Sequence, residues 1–143
     1  MKILIPYQHI NETDITECAR LRKSLKGALE LMGVEYCVSN VENFDIIHLF
    51  SVDDYPKAVD AKSRGAYIVV SSLMAESNPT SAFLDFKYKD GVINNTLSTK
   101  GAKLLRLADL ILVPSESAKE ILINEGIENR IEVLNPGINL SRF

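Results

Sequence analysis

The last third of the chain constrains the fold most, because apolar runs and helix signals alternate there in a definite order. Residues 110–113 form a short continuous apolar run, which is typical of a parallel strand covered on both faces. Ser115 or Ser117 can then cap a helix, and Gly126 can end that helix in the left-handed conformation. Residues 131–134 (IEVL), with three apolar residues of four, return as a second strand. This part of the chain therefore predicts a strand, a helix and a second strand.

The same alternation extends over the whole chain. Strands are predicted at residues 2–6, 34–38, 45–50, 66–71, 109–113 and 131–134. Besides the helix near the carboxyl end, helices are predicted from Asp14 to Gly33, at residues 55–64 and at residues 96–107. Six strands that alternate with helices predict an α/β fold with a doubly wound, mostly parallel sheet and helices on both faces. A single domain spanning residues 1–143 is expected, since a chain of this length can bury most of its apolar surface in one core.

Composition excludes several classes of function. The 24% charged and 46% hydrophobic fractions are ordinary for a globular domain, so disorder is not expected. The net charge is −3 and the basic residues are scattered, which gives no electrostatic reason to expect nucleic acid as a partner. Cys18 and Cys37 lack the spacing of a zinc site and are predicted to be reduced and packed. Neither a metal nor a bound cofactor is predicted, and a cytoplasmic location is expected because no run approaches about 20 apolar residues.

Two segments resemble a known enzyme family. Residues 108–117 (ADLILVPSES) and residues 131–139 (IEVLNPGIN), followed by Phe143, are similar to family 4 of the glycosyltransferases. These are retaining enzymes of the GT-B fold. The resemblance implies two Rossmann-like domains that face each other across a cleft, the first holding mainly the acceptor and the second most of the nucleotide sugar. This chain resembles the first domain alone, and the carboxyl-terminal, donor-binding domain is absent from it.

The resemblance implies the acceptor-binding half of an enzyme that transfers a hexosyl group, with retention, from a nucleotide sugar to an acceptor. The acceptor is a lipid, a glycan or a small hydroxyl compound, and the expected partners are this acceptor and a carboxyl-terminal glycosyltransferase domain. In the family, the groups that perform the chemistry lie in the second domain. No catalytic residue is therefore assigned to this chain, which is expected to be inactive alone.

Candidate substrate-binding residues follow from the loops at the carboxyl ends of the strands, where ligands of such sheets gather. His48 lies inside the predicted strand at residues 45–50, and its imidazole can hydrogen-bond an acceptor hydroxyl at the rim of the cleft. The alternative role is a satisfied histidine beneath a covering helix. Arg20 can bind a phosphate or an anionic acceptor, with a solvated helix face as its alternative. The remaining candidates are Ser71, Ser72, Asn135 and Gly137.

Two departures from the family's pattern favour a second interpretation. No glycine precedes Gly27, although the family usually has a glycine-rich turn after the first strand, and Ser71 with Ser72 stands where the family often has a histidine. The alternative is a non-catalytic Rossmann-like binding or regulatory module that pairs with a separate chain. A flavodoxin-like or receiver-like switch fits less well, because Leu49 and Phe50 stand where a receiver needs an aspartate.

A hairpin is predicted in the least regular part of the chain. The Asp90-Gly91 pair lies between alternating residues, with arms at residues 87–89 and 92–94. Contact with the acceptor or with anionic lipid headgroups, at the inner face of the membrane, is predicted for the aromatic and lysine residues Phe83, Phe86, Lys87, Tyr88 and Lys89. The alternative is that these aromatic residues cover the domain's own core.

Overall fold

The fold is built on a six-stranded parallel sheet. The computed structural model describes residues 1–6, 17–39, 42–72 and 83–134, without the side chains of residues 17–20, 86–89 and 93–95. The strands of this sheet are β1 Lys2–Leu4, β2 Glu35–Cys37, β3 Ile46–Leu49, β4 Tyr67–Ser71, β7 Leu110–Val113 and β8 Ile131–Val133. They lie side by side in the order β2-β1-β3-β4-β7-β8. All six predicted strands are confirmed, each within about two residues at either end.

Helices cover both faces of the sheet. Their bounds are α1 Glu17–Met32, α2 Tyr55–Ser63, α3 Thr99–Leu107 and α4 Glu116–Asn124. The side chains of neighbouring residues in a strand point to opposite faces of the sheet. Leu49 lies in a large core cluster to which α2, α3 and α4 contribute. The next residue, Phe50, lies in a smaller cluster with Leu29 of α1. The helix α1 therefore covers one face and the other three helices cover the opposite face. The predicted doubly wound, Rossmann-like α/β fold is confirmed.

Two aspartates fix the strands at the amino edge of the sheet. Asp45 precedes β3, and its Oδ2 accepts the backbone N–H of Lys2 at 2.8 Å. Asp109 precedes β7 and accepts the N–H of Ile68 in the same way, also at 2.8 Å. Each carboxylate thus satisfies a backbone donor at the start of the neighbouring strand, where the ladder of hydrogen bonds has not yet begun. This interaction holds the register of the parallel pairs.

Helix starts follow the caps rather than the apolar pattern. Ser115 caps α4, since its Oγ accepts the N–H of Ala118 at 3.2 Å, so the first of the two candidate caps is the one used. The helix predicted at residues 96–107 begins later, at Thr99. Ser98 is its N-cap, and its Oγ accepts the N–H of Gly101 at 3.0 Å. The residues before this cap are extended and belong to a strand.

The predicted hairpin is confirmed and is longer than predicted. Its strands are β5 Leu84–Lys89 and β6 Val92–Leu97, paired antiparallel in a separate two-stranded sheet. Asp90 and Gly91 both have positive φ, 53° and 80°, which matches the twist of a two-residue turn. Phe83 is only 4% exposed and belongs to the main core. This position agrees with its alternative role, in which the aromatic residues cover the domain's own core.

A glycine in α3 fixes the base of the hairpin. A Cβ at Gly101 would lie 2.9 Å from the carbonyl oxygen of Phe83, which also accepts the N–H of Ser98 at 2.8 Å. We expect Gly101→Ala to lower the free energy of unfolding by about 1–3 kcal/mol, because the backbone of the hairpin base must move. Gly27→Ala is the control in α1, where a Cβ meets nothing within 4 Å, and it should raise stability by up to about 1 kcal/mol. Urea denaturation of both variants measures this; similar stabilities would contradict the expectation.

Candidate functional site

The strand order places a crevice at the carboxyl edge of the sheet, between β1 and β3. From β1 the chain passes through α1 to β2 on one side, and from β3 through α2 to β4 on the other. The two connections run over opposite faces of the sheet, so the loops diverge at this point. In open α/β sheets, ligands bind at such a switch point. The residues at the carboxyl ends of β1, β3 and β4 are therefore those to consider first.

His48 and Ser71 form a polar pair across β3 and β4. The Nε2 of His48 lies 2.7 Å from the Oγ of Ser71, which is a short hydrogen bond. Both residues alternate with core residues of the α2 side, so both side chains lie on the α1 side of the sheet. The imidazole is also stacked on the ring of Phe50, with centroids 4.5 Å apart and planes inclined by 7°. The hydrogen bond and the stacking together fix the plane of the imidazole.

The His48 imidazole is neutral at physiological pH. Burial lowers its pKa from 6.5 to about 4, because the surrounding apolar groups solvate the charged form poorly. A neutral imidazole can donate one hydrogen bond and accept another, so it suits a hydroxyl group better than an anion. It is also a weak base, and a serine nucleophile needs a base with a pKa nearer neutrality. The pair therefore has groups that can exchange hydrogen bonds with a hydroxyl, and its imidazole is too weak a base to activate Ser71 as a nucleophile.

A buried ion triad lies beside this pair. The Nη2 of Arg22 lies 3.5 Å from Oδ2 of Asp54, and the Nζ of Lys57 lies 3.1 Å from Oδ1 of the same carboxylate. The side chain of Asp54 is 6% exposed and that of Arg22 is 12% exposed. The Arg22 guanidinium also lies 5.9 Å from the centroid of the Phe50 ring, within range of a cation–π interaction. The triad thus joins α1 to the start of α2 across the carboxyl edge.

The structure brings together only some of the predicted site residues. His48 and Ser71 are in contact. Both serines are buried, with Ser71 5% exposed and Ser72 fully buried, and the Oγ of Ser72 has no hydrogen-bond partner among the described residues. The backbone of Arg20 lies in α1, but its side chain is outside the description. Asn135 and Gly137 lie outside the described residues, as do the side chains of the hairpin residues Phe86, Lys87, Tyr88 and Lys89.

Three residues at the site were not predicted from the sequence. Arg22 lies two residues after Arg20 in α1, on the helix that was predicted to bring an arginine to this edge. Phe50 follows His48 by two residues, and the alternation of side chains along a strand is the signal that places both on one face. Asp54 carried no sequence signal, because it belongs to a 3₁₀ turn, Val52–Asp54, that no periodic pattern reveals.

Other chemistries find little support in the described part of the chain. No group of three or more His, Cys, Asp or Glu residues there could hold a metal ion. Cys37 is a free, buried thiol whose pKa is raised by burial, so it is a poor nucleophile. Within the same residues, none of the helices has the length and apolar character needed to cross a membrane. Comparisons with family models, with curated proteins and with solved structures found no match to this chain.

Proposed function

We propose that this chain is the acceptor-binding half of a retaining hexosyltransferase of the GT-B type. In this proposal, the carboxyl edge between β3 and β4 holds a hydroxyl group of the acceptor, and a second domain holds most of the nucleotide sugar. The chain positions the acceptor, while the donor-side domain stabilises the departing phosphate. Alone, the chain binds its acceptor without transferring the sugar.

The observation that carries the proposal is the His48–Ser71 pair, with its 2.7 Å hydrogen bond at the carboxyl edge of a parallel sheet. The neutral imidazole and the serine hydroxyl both exchange donor and acceptor roles easily, which suits the hydroxyl groups of a sugar or polyol. The Phe50 ring is only 4% exposed, so it does not contact the ligand itself but supports the imidazole and fixes its plane. The segments at residues 108–117 and 131–139, with their resemblance to family 4, supply the reaction class.

A lipid-linked acceptor is compatible with this proposal. Such an acceptor would bring the chain to the inner face of the membrane. The backbone of the hairpin carries Lys87 opposite Asn94 and Lys89 opposite Val92, next to the Asp90-Gly91 turn. Lysines near the tip of a hairpin are suited to anionic headgroups.

A non-catalytic module that pairs with a separate chain is the second candidate. The absence of glycine before Gly27 favours it, because a glycine-free first loop provides no close backbone approach for the donor's phosphates. The full burial of Ser72 also favours it, since the hydroxyl of this residue is then not offered to a ligand. The two candidates differ in what they bind: a sugar acceptor in the first, a protein surface in the second.

An NMR titration of the labelled chain tests the proposal. Methyl glucoside serves as a minimal acceptor and UDP-glucose as a donor. We expect methyl glucoside to produce saturable shifts at His48, Phe50 and Ser71, and UDP-glucose to leave these signals unchanged. Ser71→Ala should weaken the binding of methyl glucoside roughly fivefold, which is the effect of losing one hydrogen bond.

The matched control is Ser63→Ala in α2. The Oγ of Ser63 is exposed and donates to the carbonyl oxygen of Asp60 at 2.6 Å, so its removal should leave the affinity for the glucoside unchanged. Equal losses in the two variants would contradict the proposed contact. If UDP-glucose alone shifted the signals of His48, Phe50 and Ser71, this edge of the sheet would bind the donor rather than the acceptor. If neither sugar shifted them, the non-catalytic module would be favoured.

A further inference from the structure

A cavity lies on the other side of the sheet from His48. It has a volume of about 240 Å³ and is lined by Val52, Asp53, Tyr55, Pro56, Lys100 and Lys103. One wall comes from the 3₁₀ turn and the start of α2, and the opposite wall comes from the first half of α3. Because α2 and α3 pack against the face opposite α1, this cavity is separate from the acceptor site proposed above. It is open to solvent, so a ligand can enter without any movement of the fold.

Two lysines give this cavity a positive wall. Lys100 and Lys103 are both exposed, and among the described residues neither has an ion pair or a hydrogen bond of its side chain. They are three residues apart on one helix, so the two ammonium groups lie on the same face and repel each other. The first turn of α3 contains no acidic residue to offset them. An anion in the cavity would relieve this repulsion.

The wall opposite the two lysines is mainly apolar and carries one carboxylate. Tyr55 is 36% exposed and, with Pro56 and Val52, gives an apolar surface on which the body of a small molecule can rest. Asp53 supplies the one carboxylate of the lining, and its side chain has no ion pair among the described residues. A carboxylate accepts hydrogen bonds from hydroxyl groups and repels a second negative charge. The lining therefore suits a molecule with an anionic group at one end and hydroxyl groups at the other.

We propose that this cavity binds a phosphorylated polyol, with the phosphate held by Lys100 and Lys103 and the hydroxyl groups directed to Asp53. Two ammonium groups match the charge of a phosphomonoester, which is close to −2 at neutral pH. The volume lies just below the range of about 300–1,000 Å³ that drug-sized ligands use, so a ligand of the size of a sugar phosphate is expected. A nucleotide sugar exceeds this space.

Calorimetric titration with glucose-6-phosphate tests the assignment. We expect saturable binding at concentrations of about 1 mM or lower, with weaker binding of inorganic phosphate and none of glucose. Lys100→Gln and Lys103→Gln should each weaken the binding of glucose-6-phosphate roughly tenfold, which is the usual effect of losing one charge-assisted hydrogen bond. Both lysines are exposed, so these variants keep the fold.

The control is Arg106→Gln, which removes one positive charge from the same helix outside the cavity. Its affinity for glucose-6-phosphate should stay within twofold of the wild-type value. An equal loss in Arg106→Gln, or no saturation by the wild-type chain, would overturn the assignment. Binding to vesicles of phosphatidic acid without binding of glucose-6-phosphate would overturn it too, since the phosphate would then belong to a lipid surface. None of these results depends on His48 or Ser71, so failure here leaves the proposed acceptor site untouched.

Discussion

Asp54→Ala is expected to lower the free energy of unfolding by about 3 kcal/mol, which is the low end of the usual cost of breaking a buried ion pair. The carboxylate holds the Arg22 guanidinium and the Lys57 ammonium at the same point, and Arg22 has only 12% of its side chain exposed. Without the carboxylate, Arg22 remains buried, and within the described part of the chain it has neither another counter-charge nor a partner for its Nε. Urea denaturation followed by circular dichroism measures this loss.

The matched control is Asp60→Ala in the same helix region. Asp60 also accepts an ion pair, from the Nε of Arg64 at 3.1 Å, but its side chain is 44% exposed and that of Arg64 is 40% exposed. An exposed pair of this kind contributes less than about 1 kcal/mol. If the two variants lose the same stability, then the Arg22–Asp54–Lys57 triad is not the buried connection between α1 and α2 that the structure indicates.

The second large effect is on the pH dependence of stability. The pKa of His48 is about 4 in the folded chain and 6.5 in its ordinary state, so between these values the unfolded chain binds more protons than the folded one. Stability should therefore fall as the pH falls from 6.5 towards 4. Each pK unit corresponds to about 1.4 kcal/mol, so this histidine alone accounts for a loss of up to about 3 kcal/mol.

His48→Gln isolates this contribution. Glutamine can keep a hydrogen bond to Ser71 but does not titrate. Both proteins have the same carboxylates, so their effect cancels when the free energy of unfolding of the variant is subtracted from that of the wild type. The remaining pH dependence is that of His48. We expect this difference to change by up to about 3 kcal/mol between pH 7 and pH 4, with the variant less sensitive to acid. Parallel curves for the two proteins would contradict burial as the cause of the low pKa of His48.

The strands of the six-stranded sheet were predictable from the sequence because each lies in a short segment in which apolar residues are continuous or alternate with polar ones. Asp45 and Asp109 precede two of them, and the structure shows both carboxylates accepting a backbone N–H of the neighbouring strand. The start of α3 was not predictable from periodicity, since Thr96 and Leu97 fit a helix pattern as well as a strand. Their place in β6 is decided by pairing with Asp85 and Leu84 in the hairpin.

The candidate site was only partly predictable, because it depends on contacts between distant parts of the chain. His48 was found from its position in a strand, but its contact with Ser71 depends on the register of β3 against β4, in which His48 lies opposite Val69. The pair of Arg22 and Asp54 is separated by 32 residues, and its cause is the crossing of α1 over the carboxyl edge. No local pattern encodes such a contact, so only the folded arrangement reveals the triad.

The most direct test of the acceptor site is a measurement of intermolecular nuclear Overhauser effects between methyl glucoside and the labelled chain. We expect contacts from the sugar protons to the imidazole protons of His48, because His48 is half-buried whereas Ser71 and Phe50 are buried. These contacts should disappear in Ser71→Ala and remain in Ser63→Ala. Contacts to other residues, with none to His48, would contradict the proposed acceptor site and place the acceptor elsewhere on the chain.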